Sequence, residues 1–280
     1  MNKRDDWQEV QNYIRAMESS IHELDKLPFS SRMIRNAHKT LMHGVRGERK
    51  QPGEFRVSQN WIGGATLNDA IFIPPAHSSI NTLMNDLEKF VHNEAIHFPE
   101  LLKVALVHYQ FESIHPFLDG NGRVGRLMIT LYLVSKGMLK KPVLYLSDFM
   151  ERNRTLYYDN LMRVREKNDI AQWFKFFLTG VIETAKGGIS TFDAILQLQK
   201  QTEAQVNTLG SRAGNAQKVC KYLYQKPIIN AETVCKITNI SPPTAYTLLM
   251  EMQRLKILHE ITGGQRSRMY MFDSYVKLFR

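Results

Sequence analysis

Two apolar stretches of the chain, Leu101–Ile114 and Val124–Gly137, carry helical spacing and are joined by one short turn, His115–Pro116–Phe117–Leu118–Asp119–Gly120–Asn121–Gly122–Arg123. Apolar residues recurring at steps of three and four mark a helix with a buried face, so this part of the chain folds as helix, turn, helix. Pro99 and Glu100 are start signals for the first helix, and Gly137 is a stop for the second. No other part of the sequence packs an imidazole, a carboxylate, an amide, two glycines and, with Arg126, two guanidiniums into so few residues.

The same spacing recurs on both sides of this pair. Trp7, Val10, Ile14, Met17, Ile21 and Leu24 read as one helix face in the core, with Asp5 and Asp6 suited to its N-terminal end. Ser30 caps a second helix through Met33, Ile34, Ala37 and Leu41 to Gly44. Further helices are predicted over Ser79–His97, Tyr145–Leu161 and Ile170–Ile182, and Lys186–Gly187–Gly188 interrupts the last of these. Between them, Gly44–Pro75 has no helical period. Phe55–Ile62 and Ala70–Ile73 flank Gly63–Gly64 and read as a short β-hairpin ended by Pro74–Pro75, either a connector or an edge able to take an extended peptide.

A chain of 280 residues exceeds one typical domain, and its net charge of +10 points to an anionic partner of unspecified kind. The excess is uneven: residues 211–280 hold eleven basic and four acidic side chains, a net of +7. After a polar helical connector, Ile195–Thr208, and a linker around Gly210, Ser211 and Gly214, the pattern becomes Ala216–Tyr224, Ala231–Thr238 capped by Asn230, and Thr244–Leu258. A ribbon of Ile257–Thr262 and Arg268–Phe272 follows. That order is a winged helix-turn-helix with Ser241–Leu255 in the recognition position. The expected class is therefore mainly α: a helical bundle with a β-hairpin flap at about 53–75 in residues 1–190, a connector at 191–213, and a small winged helix-turn-helix domain at 214–280. Cys220 and Cys235 read as free thiols. No run suits a signal peptide or a membrane span, and the expectation is a soluble, cytoplasmic protein.

The turn has a definite chemistry. Gly120 and Gly122 let backbone N–H groups approach a ligand, and a helix starting near Gly122 offers an anion site. Arg123 and Arg126 lie three apart on one face of its first turn and suit a di- or triphosphate. Asp119 is the only carboxylate there, the natural ligand for a Mg²⁺ ion shared with phosphates. His115, with a reference pKa of about 6.5, suits a general base. Phe117 points inward as an anchor. A metal set of His108, Glu112 and His115 lacks the H-E-x-x-H spacing, and His108 reads as a packed core residue. No Walker A loop is present.

His115–Arg126 resembles the signature of the Fic family, H-P-F-x-D-G-N-G-R-x-x-R, at every specified position. Gly53–Glu54–Phe55–Arg56, Trp61–Ile62–Gly63–Gly64 and Pro74–Pro75 are similar to the family's flap region. The likeness covers roughly residues 5–190, and the tail is similar to that of many bacterial members. The resemblance implies transfer of AMP from ATP to a protein hydroxyl with release of pyrophosphate. In that scheme His115 is the base, Asp119 the Mg²⁺ ligand, Gly120, Asn121 and Gly122 the phosphate cradle, and Arg123 and Arg126 the clamps on the remaining phosphates. The flap holds the target's main chain, and Tyr157, Tyr158 or Asn160 lines the adenine side.

The family's regulated members carry [ST]-x-x-x-E-[GN] on an inhibitory helix. Ser19–Ser20–Ile21–His22–Glu23 has the spacing but is followed by Leu24, on a helix read as core. The expectation is an unsilenced site, with a restraining helix supplied by a preceding segment or another chain, or with control by other means. Two alternatives stand beside the enzyme. One is a DNA-binding regulator with a Fic-like sensor, weakened by a recognition helix that opens on Pro242, Pro243, Thr244, Tyr246 and Thr247 without a basic residue; Arg266 and Arg268 on the wing are better phosphate candidates. The other is a transferase using a different donor. The sequence leaves open the target protein, a homodimer and partner docking by the tail.

Overall fold

The structure is a computed structural model and describes residues 3–45, 47–95, 97–264 and 267–279. The chain divides into two units, residues 1–185 and 186–280. In the first, helix α1 (Lys3–Leu24) packs on α2 (Ser31–Leu41). It buries Asn12, Ala16, Met17 and Ser20; of the expected apolar face Met17, Ile21 and Leu24 pack in or against the core, while Trp7, Val10 and Ile14, in its first half, are exposed. The cause is polar: Asn12 Nδ2 donates to the carbonyls of Leu41 (3.2 Å) and His43 (2.6 Å), two groups that the end of α2 leaves open. The side chains of Asp5 and Asp6 lie outside the described ones. Ser30 caps α2 as its position predicts, its Oγ accepting from the Met33 N–H.

Helix α3 (Ile80–His92) stops short of the predicted His97, at a cap on Asn93. The predicted pair follows as α4 (Glu100–Ile114) and α5 (Asn121–Ser135), which pack together, with Val124, Leu127, Ile129, Leu131 and Leu133 all buried. The predicted helix over Tyr145–Leu161 is instead α6 (Ser147–Arg152) and α7 (Arg154–Lys167), broken at Asn153, whose Nδ2 donates to the Phe149 carbonyl. Helix α8 (Ile170–Asn207) gives Trp173, Phe176 and Phe177 to this core. It runs through Lys186–Gly187–Gly188 without the predicted interruption. Each glycine costs about 1 kcal/mol in a helix interior, and so long a helix absorbs it.

The hairpin over 53–75 is reduced to a single antiparallel bridge, Ile62 with Phe72, and a 3₁₀ turn at Leu67–Asp69. Two groups draw the arms out of register with a ladder. At the tip, the Asp69 carboxylate accepts from the N–H groups of Ala65 and Thr66. At the base, the carbonyls of Ser58 and Pro75 are taken by Arg56.

The second unit contains α9 (Ala213–Leu223), β1 (Ile228–Asn230), α10 (Ala231–Thr238), α11 (Pro242–Arg254), β2 (His259–Glu260), β3 (Met269–Met271) and α12 (Asp273–Val276). The sheet is antiparallel in the order β1-β3-β2, with Ile229 opposite Tyr270. Strand β1 was not predicted, because three residues are too few to show alternation. Gly214 lies within α9 and not in a linker. The ribbon is shorter than predicted because Glu260 turns back to accept from the N–H groups of Thr262 and Gly263. Cys220 and Cys235 are free, and burial pushes the Cys220 thiol up to about 12. Arg268 donates to the Gly264 carbonyl, and Arg266 lies outside the described residues. No helix among the described residues is long and apolar enough to cross a membrane.

Candidate active site

Helix α4 ends on His115, which adopts left-handed backbone angles (φ 49°, ψ 59°) with its N–H still bonded to the Phe111 carbonyl at 2.9 Å. Holding a non-glycine residue there costs on the order of 1–3 kcal/mol, so the surroundings have to enforce it. Arg56, 2% exposed, does so. Its Nε donates to the His115 carbonyl (3.0 Å) and its Nη2 to those of Ile114 (3.5 Å) and Pro75 (2.5 Å), while Nη1 reaches the Ser58 carbonyl (3.0 Å). Its own N–H bonds the Pro116 carbonyl at 2.8 Å. One guanidinium thus ties the end of α4 to both arms of the flap.

Past His115 the turn closes on a stapled aromatic. Phe117 is fully buried, its ring stacked on His38 at 3.8 Å and tilted against Phe55 and Phe111. Asn121 holds the main chain around it, accepting from the Phe117 N–H (2.9 Å) and donating to the Phe117 carbonyl (2.8 Å). The Asn121 side chain is therefore committed to the loop, and only its backbone N–H is left for a ligand. His38 accepts from the Gly53 N–H on Nδ1 (2.8 Å), which fixes the proton on Nε2, and Nε2 donates to the Asp119 carbonyl (3.0 Å). Burial holds this imidazole down at about 4, against the pull of that carbonyl.

Gly120 sits at φ 79°, and a Cβ there would fall 2.7 Å from Met42 Sδ. Helix α5 starts immediately after it, with no side chain capping the start. The N–H groups of Asn121, Gly122 and Arg123 are left open at this helix start, one residue earlier than predicted, where the dipole favours negative charge. Gly122 is helical, and a Cβ there would fall 3.2 Å from Arg126 Nη1, so its bare face leaves room for that guanidinium. Arg123 and Arg126 line a cleft of about 800 Å³ whose wall is mostly apolar, from Val10, Tyr13, Ile14, Met17 and Tyr145. Arg123 is partly engaged already, 3.5 Å from Glu9 Oε1 and donating to Met42 Sδ. Asp119 spends Oδ1 on the Gly120 N–H (2.6 Å), whereas Oδ2 has no hydrogen-bond partner among the described residues.

Behind the turn lies a buried polar layer. His108 donates from Nδ1 to the Gly125 carbonyl (3.0 Å) and accepts on Nε2 from the Tyr157 hydroxyl (2.9 Å). Burial pushes His108 down to about 4 and Glu112 up to about 7, the latter opposed by the charges of Arg126 and Arg165. Desolvation likewise takes His115 down to about 4. The Glu112 carbonyl and the Asp119 charge oppose that shift, and Arg56 and Arg165 add to it. Its Nδ1 is buried beside that carbonyl without a well-aligned hydrogen bond, which leaves Nε2 as the ring nitrogen with access. Arg165 lies 3.6 Å over the Phe72 ring of the flap and reaches the Glu112 carbonyl at 3.4 Å.

Of the residues expected on the adenine side, Tyr158 is 45% exposed. Tyr157 is a correction: it is 4% exposed, its hydroxyl is given to His108 and its ring packs against Trp173, so it presents no face to a ligand. Asn160 is also buried, donating to the Leu156 carbonyl. Glu23 bonds Asn36 on α2.

Residues 28–133 match the model of the Fic/DOC family. The chain carries a Fic/DOC-family domain. Over 125 residues it is 34% identical to a protein named protein adenylyltransferase Fic from Aedes aegypti, a match covering 44% of this chain and 22% of that protein. Its counterpart of the same name from Drosophila erecta is 30% identical over 156 residues, 55% of this chain and 28% of that protein. The match thus spans about a quarter of these curated relatives. In fold, the chain is similar to a Fic family protein from Desulfovibrio desulfuricans G20, with a TM-score of 0.59 at 22% identity over 97% of this chain and 76% of that one. Within the first unit, sequence reading missed His38, Glu9, Arg165 and the bracing by Arg56. Only His38 left a trace, a polar residue beside Ala37 on the buried stripe of α2.

Proposed function

We propose that this chain is a protein adenylyltransferase, moving AMP from ATP to a side-chain hydroxyl of a target protein and releasing pyrophosphate, and that it acts in the cytoplasm. The observation that carries the reading is the order of groups along one turn: an accessible imidazole nitrogen, a carboxylate oxygen without a partner, an uncapped helix N-terminus and two guanidiniums on a cleft. The name of the aligned relatives supports it.

In this reading the donor's phosphates lie over the N–H groups of Asn121, Gly122 and Arg123, with Arg123 and Arg126 pairing with the outer oxygens. Neutral His115 takes the proton of the target hydroxyl on Nε2 as its oxygen attacks the α-phosphorus. The bond from that phosphorus to the bridging oxygen breaks, and pyrophosphate leaves with the electron pair. Asp119 Oδ2 fits a Mg²⁺ ion, which takes one or two carboxylates plus phosphate oxygens; when bound, the ion neutralises phosphate charge. The flap, fixed by Arg56 and Arg165, registers the target's main chain, and Tyr158 offers a ring to the adenine. We assign residues 1–190 to the catalytic domain, 191–213 to the connector and 214–280 to a winged helix.

The test is incubation with ATP labelled at the α-phosphate, alone and in lysate, followed by mass spectrometry of labelled proteins. A 329-dalton adduct on Ser, Thr or Tyr that His115→Ala reduces by about a hundredfold or more is expected. Absence of any adduct, or His115→Ala equal to the parent, refutes the reading. An adduct of another mass assigns a different donor.

A further inference from the structure

From Lys186 to Gln201, α8 makes over four turns without a buried residue. Its composition does not suit that setting. Ile189, Phe192 and Leu196 are 63%, 52% and 56% exposed, and their steps of three and four place them on one stripe. A helix that crosses solvent alone is polar all round, and one with an apolar stripe is built to be covered. The spacing is that of the core positions of a coiled coil. One edge of the stripe carries Lys186, Asp193 and Lys200, and the other carries Gly188 and Ile195. Neither Lys186 nor Asp193 has an ion pair among the described residues.

We propose that a second copy of this chain covers the stripe, with the two α8 helices antiparallel about a twofold axis between residues 190 and 191. Charge selects this arrangement. In an antiparallel pair, Ile189 packs against Phe192 of the second copy, and Lys186 of each copy then faces Asp193 of the other. On the opposite edge, Ile195 of each copy falls over Gly188 of the other, where the missing side chain makes room. A parallel pair instead sets Asp193 beside Gly188 and Lys200 beside Ile195, so no opposite charges meet. The interface is short, and the dimer dissociates in the micromolar range. This proposal does not depend on the transfer reaction.

The test is sedimentation equilibrium of the full chain from about 1 to 100 µM, the range that brackets such a dissociation constant. The parent is expected to pass from monomer to dimer. Phe192→Asp remains monomeric, and Lys186→Asp weakens association about tenfold or more by setting like charges together at two symmetric places. The double variant Lys186→Asp/Asp193→Lys restores it, as does mixing Lys186→Asp with Asp193→Lys chains. These side chains are exposed, so the variants keep the parent's circular dichroism and melting temperature. A parent monomeric throughout, a dimer indifferent to Phe192→Asp, or a double variant no better than Lys186→Asp overturns the proposal.

Discussion

Arg56 and His115 are 59 residues apart, yet the Arg56 Nε–H bonds the His115 carbonyl at 3.0 Å and so helps hold the backbone that carries the imidazole. The same guanidinium serves the carbonyls of Ser58, Pro75 and Ile114. Arg56→Met would leave these buried acceptors bare, and a loss of about 3 kcal/mol or more in urea unfolding is expected. Arg56→Lys satisfies fewer of them without the planar fork. It should fold, yet transfer label about a hundredfold more slowly, because a small misplacement of a reacting group is enough for that.

Glu9 holds Arg123 at 3.5 Å in competition with any phosphate. Glu9→Gln removes the competing charge and leaves the helix intact. Binding of ATP, followed by calorimetry, is expected to tighten about two- to fivefold, the scale of a partly exposed ion pair, with the melting temperature little changed. Weaker binding would show that Glu9 supports the arginine instead of competing for it.

The helices of the first unit were legible because their signals are local: a cap at Ser30, a start at Pro99–Glu100, and apolar steps along α4 and α5. The order of groups in the turn was equally legible, since all of them lie within twelve residues. What could not be read is set by distant partners. The setting of the first half of α1, with Trp7, Val10 and Ile14 outside the core, goes with Asn12 reaching carbonyls some 30 residues on. The flap lost its ladder to Asp69 and Arg56. Tyr157 looked available until His108, 49 residues earlier in the chain, took its hydroxyl. Spacing shows which face a residue occupies, but not whether its polar atom is already spoken for.

Acid should destabilise this protein through buried imidazoles. His38, His108 and His115 are each held near 4 by burial, so below the ordinary histidine value the unfolded chain binds three protons that the folded chain refuses. Stability is then lost as pH falls from about 6.5 towards 4. Glu112 acts in the opposite sense: at about 7 it takes up a proton in the folded state first, which favours folding between pH 7 and 4.5. The balance is nearly two protons, so the unfolding free energy from these groups should fall by roughly 2 kcal/mol per pH unit around pH 5.5. His115→Ala removes one of the three, and its slope should be about 1.4 kcal/mol per unit shallower. Equal slopes in urea titrations of the two proteins would contradict the assignment.

Gly125 and Glu112 are the tightest steric pair behind the turn. A Cβ built on Gly125 falls 2.4 Å from Glu112 Oε1 and 3.2 Å from the His108 ring. Glu112 is fully enclosed and its Oε1 has no hydrogen-bond partner, so the carboxyl cannot retreat into solvent. Gly125→Ala should therefore push α5 away from α4 and cost about 1–3 kcal/mol, although alanine is the better helix former. Glu112→Ala removes the obstacle. If the clash is the cause, the double variant is less destabilised than the sum of the two single variants by about 1 kcal/mol or more, a coupling that urea unfolding of all four proteins resolves. Simple additivity would place the cost of Gly125→Ala elsewhere, at the His108 ring. Because the Gly125 carbonyl also receives the His108 proton, the same displacement should loosen the first turn of α5 and raise the Kd for ATP.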